Sequence, residues 1–204
     1  ILNALNSKYL NSKNIYLLTS KNHNNKILVD YVKKKYRIKI LRGPEENVYK
    51  RYSKFKGLKN FPILRLTADN ALIDPLLIDK VIEFFFKSKA DYVTTRAMAH
   101  SNNWREKSDF PKGISVEVFN SVKFFSMYKN YNNFEYLSPT WFFFNKKIKC
   151  LIKKVPTKGI YKKLNKKQSF TIDTKSDYEF VKKFIKINNF NPGSNNFFNL
   201  YQNR

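Results

Sequence analysis

The amino-acid sequence predicts an α/β fold with a mostly parallel central sheet and helices on both faces. Short apolar stretches and longer amphipathic stretches alternate three times in succession over residues 14–87. Such alternation is typical of parallel strands joined by right-handed crossover helices. The stretch 61–67 is apolar enough for a strand inside a sheet. Asp74 and Pro75 follow it and supply a side-chain cap and a first-turn proline for a helix.

The length of the chain favours one domain. With 204 residues, of which 42% are hydrophobic, the chain can bury a core of ordinary size. No repeat and no linker divides it. We therefore predict a single domain over residues 1–190 and a loose, Asn-rich tail over residues 191–204.

The predicted strands are short, and most of them precede a helix. Residues 1–11 carry apolar side chains at helical spacing and predict the end of a helix. Gly113 stands before the fifth strand and is expected to allow the close approach of another segment. The strands themselves are predicted at 14–19, 37–41, 61–67, 91–95, 114–119 and 170–172.

The predicted helices have recognisable starts. Ser121 is the predicted cap of a short helix, and Thr174 with Asp177 resembles a capping box. The face that helix 26–35 buries stays open, whereas the last helix is expected to bury Tyr178, Val181 and either Phe184 or Ile185. The helices are predicted at 26–35, from about 47, at 75–87, at 121–128 and from 174.

Two segments lack clear periodicity. Residues 96–112, which include Trp104, predict a long loop, and long loops in compact domains are often functional. Residues 134–149 are rich in aromatic side chains and are a candidate for a homodimer contact.

The composition restricts the class of partner. The net charge of +25 favours anionic ligands, but the lysines are scattered over nearly every segment, so we predict no specific nucleic-acid partner. The single cysteine, Cys150, excludes an internal disulfide framework and a cysteine-rich zinc site. No stretch approaches the ~18 apolar residues of a membrane span, and no signal peptide is visible. A cytoplasmic location is expected.

Two aspartates stand where predicted strands end. Asp69 follows the strand at 61–67, Asp173 follows the strand at 170–172, and a helix start comes soon after each. The carboxyl ends of parallel strands form the usual ligand-binding edge of such sheets. If the two strands lie near each other, both carboxylates can bind one magnesium ion, which prefers oxygen ligands and shares them with phosphates. The structural alternative is that Asp69 solvates a strand end and Asp173 a helix start.

Five stretches, in order along the chain, resemble motifs of the cytidylyltransferases, in particular the branch named for spore coat polysaccharide biosynthesis protein SpsF. Residues 41–52 are similar to Arg-Gly-x-x-x-Asp-Val-x-x-Arg-Tyr, and residues 65–75 to Arg-x-Thr-x-Asp-x-Pro-Leu-Ile-Asp-Pro. Residues 91–93 match Asp-Tyr-Val. Residues 110–119 resemble Pro-x-Gly-x-x-Val-Glu-Val-Phe, and residues 171–178 resemble Thr-x-Asp-Thr-x-x-Asp-Tyr.

The resemblance implies a Rossmann-like nucleotide-diphospho-sugar transferase fold. It also implies a magnesium-dependent enzyme that forms a CMP-sugar and pyrophosphate from CTP and a sugar, usually an acidic one, for surface polysaccharide synthesis. Carried over to this chain, Asp69 and Asp173 are the catalytic magnesium ligands. The residues implied to contact nucleotide or sugar are Arg42, Gly43, Arg65, Lys112 and Glu117.

The chain also departs from the family pattern. Asn47 stands in place of Asp, Ala71 in place of Pro, and Tyr136 in place of His, a change that puts the sugar specificity in question. The family's Gln-Ala-Arg…Ser-x-Arg-Leu-Pro-Gly-Lys loop, which holds the CTP phosphates, has no counterpart. Because the chain begins at Ile1 and not at Met, we expect it to be a fragment of a longer protein that carries this loop.

Other functional classes stay open. A catalytically impaired nucleotide-sugar-binding homologue would keep the fold, and another sugar-nucleotide transferase could share it. The charge of +25 leaves a polyanion-binding protein as a further alternative, and such a protein would bind nucleic acid with strong salt dependence.

Overall fold

A computed structural model describes residues 2, 7–56, 61–95, 110–127, 139–144, 149–156 and 169–189. The chain forms two compact units. The first comprises Ile1–Lys8, Pro62–Phe119 and Cys150–Arg204, and the second comprises Tyr9–Phe61 and Asn120–Lys149. The single domain expected over residues 1–190 stays a prediction.

Strands and helices alternate in the described residues except between β4 and β5, as is typical of an α/β fold. The strands are β1 (Tyr16–Ser20), β2 (Lys39–Gly43), β3 (Pro62–Arg65), β4 (Tyr92–Thr94), β5 (Glu117–Asn120) and β6 (Ile152–Lys154). The helices are α1 (Lys26–Lys35), α2 (Val48–Tyr52), α3 (Pro75–Ser88), α4 (Ser121–Ser126) and α5 (Lys175–Ile187). The helices predicted at 26–35 and 75–87 are therefore confirmed.

In the second unit, β1 and β2 form a parallel pair in which Leu18 lies opposite Leu41. Helix α1 connects them, which is the crossover that a parallel pair needs. It buries Val29 and Val32, whereas Ile27 is 83% exposed, and this settles the face that the sequence left open.

Aromatic side chains pack together in the second unit, apart from the β1–β2 pair and α1. The fully buried ring of Phe124 in α4 contacts Tyr49 and Tyr52 of α2, with ring centroids 4.9 and 5.5 Å apart, and it stacks on Phe143. Aromatic side chains bury large apolar areas, so these few residues join α2, α4 and the 3-10 segment Pro139–Phe144.

In the first unit, four strands form a sheet in the order β3-β5-β4-β6. Strand β4 pairs in parallel with β6 and antiparallel with β5. Helix α3 contacts β4 and buries one apolar face, with Leu77 and Val81 fully inaccessible. Asp74 caps α3 by accepting a hydrogen bond of 3.0 Å from the backbone of Leu76.

Several local predictions are wrong. The stretch 170–172 is not a ladder strand, because only Ser169 and Thr171 form isolated bridges, to Lys112 and Asn70. Asn120, and not Ser121, caps α4 through a 2.9 Å bond from the backbone of Lys123. Tyr178 is 50% exposed although Val181 of the same helix is buried. Residues 7–11 are turns and irregular backbone instead of a helix end, and strand β6 was not predicted.

Some predictions concern residues outside the described ranges. These include Trp104, Tyr136 and most of the loop 96–112, and of the candidate dimer segment 134–149 only residues 139–144 and 149 are described. Among the described helices, none combines the length and the apolar character that crossing a bilayer requires.

Candidate functional site

Three segments that are distant in the chain meet in the first unit. They are residues 67–71 after β3, residues 112–116 before β5 and residues 169–173 before α5. The backbone nitrogen of Ile172 donates to the carbonyl of Asp69 at 3.0 Å, and that of Phe170 donates to the carbonyl of Lys112 at 2.8 Å. The side-chain amide of Asn70 donates to the carbonyl of Ser115 at 3.2 Å. Two backbone bonds and one bond from a side-chain amide therefore hold the three segments together.

Gly113 makes this meeting sterically possible. Its φ of +92° lies in the region that side-chain-bearing residues rarely adopt. A Cβ atom at this position would lie 2.3 Å from the carbonyl carbon of Phe170 and 2.4 Å from the nitrogen of Thr171. The predicted close approach at Gly113 is confirmed, and residues 169–171 are the approaching segment.

The meeting brings the two predicted aspartates into one locality. The carbonyl of Asp69 bonds to Ile172, the residue immediately before Asp173. Oxygen Oδ1 of Asp69 is buried and has no hydrogen-bond partner in the structure. Oγ1 of Thr171, a residue only 4% exposed, is in the same condition. A buried polar group without a partner costs roughly 1–3 kcal/mol, and these two lie on segments joined by the bond from Ile172 to Asp69, so both oxygens are candidates for binding a ligand.

Asp173 differs from Asp69 in being open to solvent. Its carboxylate Oδ2 pairs with Nζ of Lys112 at 3.0 Å, and the two side chains are 55% and 43% exposed. The backbone nitrogen of Asp173 donates to Oδ2 of Asp177 at 3.1 Å. Asp177, which forms the capping box of α5 with Thr174, therefore also orders the backbone of Asp173. Hydrogen bonds from the side chain and backbone of Thr174 lower the pKa of Asp177.

The residues of this locality fit a magnesium ion. Magnesium typically takes one or two protein carboxylates and fills its remaining positions with water and substrate phosphates. Asp69 offers an unpartnered oxygen, and Asp173 already binds a cationic group, the ammonium of Lys112. The described residues hold no group of three or more His, Cys, Asp and Glu side chains placed to bind a metal.

A buried polar network crosses the sheet beside this locality. The guanidinium of Arg65 forms an ion pair with Oε2 of Glu117, and the hydroxyl of Tyr92 donates to Oε1 of the same carboxylate. Glu117 is 3% exposed and Tyr92 is 1% exposed. The structure therefore places Arg65 and Glu117 together, with both carboxylate oxygens of Glu117 bound within the protein.

Arg42 and Gly43 lie in the second unit, at the end of β2. The Nε and Nη2 groups of Arg42 donate to the carbonyls of Ser20 at 3.1 Å and Asn22 at 3.0 Å, so this side chain supports the loop after β1. A Cβ at Gly43 would lie 2.9 Å from Cγ of Arg51, which explains the glycine.

The remainder of the same motif also has structural roles. Arg51 donates to the carbonyls of Pro44 and Glu45 at 2.9 and 2.7 Å, and burial lowers its pKa. Asn47 accepts a 2.9 Å bond from the backbone of Lys50 and so caps α2. Asn and Asp are equally good in that position, so this departure from the family pattern preserves the local fold.

Three contributing residues were not identified as site residues from the sequence. Thr171 and Tyr92 stand in short apolar stretches, where a polar atom signals that a partner is needed inside the protein. Asp177 was assigned only to the helix cap. The sequence signal for all three is a polar group in a segment that must be buried or capped, but it does not identify the partner.

Comparisons with known proteins are consistent with this geometry. A family model described as cytidylyltransferase matches residues 2–204. An uncharacterized protein of Methanocaldococcus jannaschii is 26% identical in an alignment 170 residues long that covers 76% of this chain and 67% of that protein. Spore coat polysaccharide biosynthesis protein SpsF of Bacillus subtilis is 36% identical over 81 residues, which are 39% of this chain and 33% of SpsF.

A solved structure shares the fold. The cytidylyltransferase from Leptospira borgpetersenii serovar Hardjo-bovis aligns with a TM-score of 0.74 at 22% identity, over 94% of this chain and 75% of that chain. The likeness confirms the predicted α/β fold with a mostly parallel central sheet flanked by helices.

Proposed function

This chain belongs to the cytidylyltransferase family, and from that premise we propose that it transfers a cytidylyl group from CTP to a sugar. In the reaction, a sugar hydroxyl oxygen attacks the α-phosphorus of CTP in line. The bond from the α-phosphorus to the oxygen bridging to the β-phosphate breaks, pyrophosphate leaves, and the hydroxyl proton passes to solvent. The products are a CMP-sugar and pyrophosphate.

The observation that carries the proposal is the unpartnered, buried Oδ1 of Asp69 beside the segment that bears Asp173. We propose that these two carboxylates hold magnesium. A bound magnesium ion would polarise the α-phosphate and offset the charge of the leaving pyrophosphate. The work left to the protein is to fix the donors in place before substrate arrives, which the backbone bonds among the three segments accomplish.

Lys112 is proposed to bind the anionic part of a substrate. Its ammonium lies on the exposed side of the site, 3.0 Å from Asp173, and its backbone is fixed by the bond from Phe170. Lysine is a flexible point charge with three donors, so it can move from Asp173 to a carboxylate or phosphate oxygen at little cost. This position supports the choice of an acidic sugar.

Arg42, Gly43 and Arg65 are proposed to serve the nucleotide through the backbone that they support. Arg42 spans two carbonyls of the loop after β1, a loop at the carboxyl end of a parallel strand, where ligands of α/β sheets bind. Gly43 leaves room for the side chain of Arg51 in α2. Arg65 ends β3, four residues before Asp69.

The proposed biological use is surface polysaccharide synthesis. Its support is the 36% identity to SpsF over 81 residues, the relative whose printed name contains spore coat polysaccharide biosynthesis. The net charge of +25 suits polyanionic substrates such as CTP.

The test is calorimetric titration of the full-length protein with CTP in the presence and absence of magnesium. We expect magnesium-dependent binding in the wild type. Asp69→Asn should reduce turnover ~100-fold or more, the scale of losing a preorganised charge contact. Asp30→Asn is the matched control, because Asp30 is an exposed aspartate in α1 whose contact is a 3.5 Å ion pair with Lys26.

Near-normal turnover of Asp69→Asn with magnesium present would end the assignment of Asp69 as a ligand. Wild-type protein that binds magnesium and CTP without forming product would instead identify the catalytically impaired binding homologue. Binding of random duplex DNA that weakens steeply with salt, without CTP binding, would favour the polyanion-binding alternative.

A further inference from the structure

We propose that Glu117 is a positioning residue, which acts through Arg65 to fix the orientation of the loop that carries Asp69, and not a residue that contacts the sugar. The proposal rests on the function proposed above, since it explains how this site is held in shape. It changes the role that the family resemblance implied for Glu117.

Burial is the first reason. Glu117 is 3% exposed, and each of its carboxylate oxygens is already bound, one by the guanidinium of Arg65 and one by the hydroxyl of Tyr92. A sugar hydroxyl needs access to at least one carboxylate oxygen to form a hydrogen bond. In contrast, Lys112 and Asp173 are 43% and 55% exposed in their side chains, so the open face of the site lies there.

The place of Glu117 in the sheet is the second reason. Glu117 opens β5, the strand between β3 and β4, so its contacts reach across three neighbouring strands. Arg65 is the last residue of β3, and the turn that follows it is closed by a 3.1 Å bond from the nitrogen of Asn70 to the carbonyl of Thr67. On the other side, Ser115 stands two residues before Glu117 and accepts the bond from Asn70.

The network therefore joins the base of the Asp69 loop to the base of the segment that begins with Lys112. A buried ion pair adds little net stability, because desolvation offsets most of the attraction. It does fix orientation, since a planar guanidinium is held by a carboxylate in few geometries. Removing the charge of Glu117 should leave Arg65 able to rotate and the Asp69 loop less ordered.

The experiment is a double-mutant cycle with Glu117→Gln and Arg65→Lys in the full-length protein. Glutamine keeps the shape of glutamate and removes its charge. We expect Glu117→Gln to weaken binding of CTP with magnesium ~10-fold and to leave the KM for the sugar nearly unchanged, because supporting partners of a binding group typically contribute 10–100-fold. Arg65→Lys keeps the positive charge and loses the planar guanidinium, so in that background the same substitution should weaken binding less than it does in the wild type. Glu83→Gln, an exposed glutamate in α3, is the matched control.

A second readout does not depend on CTP. The Nε–Hε NMR signal of Arg65, assigned by its loss in Arg65→Lys, should be sharp and slow to exchange in the wild type and averaged in Glu117→Gln. If Glu117→Gln fails to fold, Tyr92→Phe serves as the second variant. It removes one hydrogen-bond donor to Glu117 and keeps the ion pair, so it should broaden the Arg65 signal partially.

An unchanged Arg65 signal in the Glu117 and Tyr92 variants would overturn the inference. A sugar KM raised equally in both backgrounds would do the same, because it would indicate direct contact. The failure of the proposed function is visible separately, as absence of CTP binding in the wild type.

Discussion

Replacing Gly113 by alanine tests whether the three segments of the site meet as described. An alanine there must adopt a φ of +92°, and left-handed backbone costs a side-chain-bearing residue ~1–2 kcal/mol. Its Cβ would also lie 2.3 Å from the carbonyl carbon of Phe170, so residues 169–171 must move away. Overpacking of this kind typically costs ~1–3 kcal/mol. We therefore expect Gly113→Ala to lower the free energy of unfolding by roughly 2–5 kcal/mol.

The assay is urea unfolding at 25 °C, followed by circular dichroism and by fluorescence so that two-state behaviour can be checked. Gly43→Ala is the matched control. Its added Cβ would lie 2.9 Å from Cγ of Arg51, a side chain fixed by bonds to Pro44 and Glu45, but no positive φ is required, so it should cost ~1–3 kcal/mol, less than Gly113→Ala. In Gly113→Ala, affinity for magnesium with CTP should also fall, because the displaced segment leads to Asp173.

If Gly113→Ala proved no less stable than Gly43→Ala, the close approach between residues 112–113 and 169–171 would be refuted. The grouping of Asp69, Lys112 and Asp173 in one locality would then lose its structural basis. If Gly113→Ala lost stability but kept its affinity for magnesium and CTP, the close approach would be supported. Its proposed role in binding would be refuted.

Three further predictions concern helix ends and the aromatic core. Asn47→Ala should lower the free energy of unfolding by ~1 kcal/mol through loss of the α2 cap, and Asn47→Asp should be neutral; denaturant unfolding measures both. Because capping bonds lower the pKa of Asp177 from its ordinary value of 3.8, its stabilising contribution is complete above that value and is lost as the pH falls through the folded-state pKa. Asp177→Asn should therefore flatten this acidic part of a plot of melting temperature against pH, and an unaltered plot would contradict the cap. Phe124→Ala should cost ~3–5 kcal/mol in the same unfolding assay, since the ring is fully buried among other aromatics, and a cost below ~1 kcal/mol would contradict that packing.

Helices with a chemical start signal were the most predictable part of the fold. Asp74 with Pro75 placed the start of α3, and Thr174 with Asp177 placed the start of α5, because each cap is made by residues adjacent in sequence. The buried face of a surface helix was less predictable. Tyr178 is half exposed because the ends of aromatic side chains can lie in solvent, and only the neighbours in space decide which face of the helix is covered.

The sequence predicted that the segments of Asp69 and Asp173 lie near each other, but not the contacts that join them. Asp69 and Asp173 were identified from their positions after apolar stretches. The segment before Asp173 is held by single backbone bonds to Asp69 and Lys112 and not by a strand ladder, and no local pattern encodes such bonds. Glu117 shows the same limit. The alternation of apolar and polar residues predicted the strand. Because β5 has a neighbouring strand on each side and both of its faces are buried, the side chain of Glu117 lies inside the protein.

The backbone bonds from residues 170 and 172 to residues 112 and 69 also bear on protein synthesis. A ribosome makes the chain from its amino end, so Asp69 and Lys112 emerge well before their partners. Until the later segment arrives, the carbonyls of both residues lack these bonding partners, and the locality around Asp69 lacks the segment that carries Asp173. The nascent chain can therefore form much of its sheet early, but the proposed magnesium-binding locality is complete only when the segment that ends in Asp173 has been added.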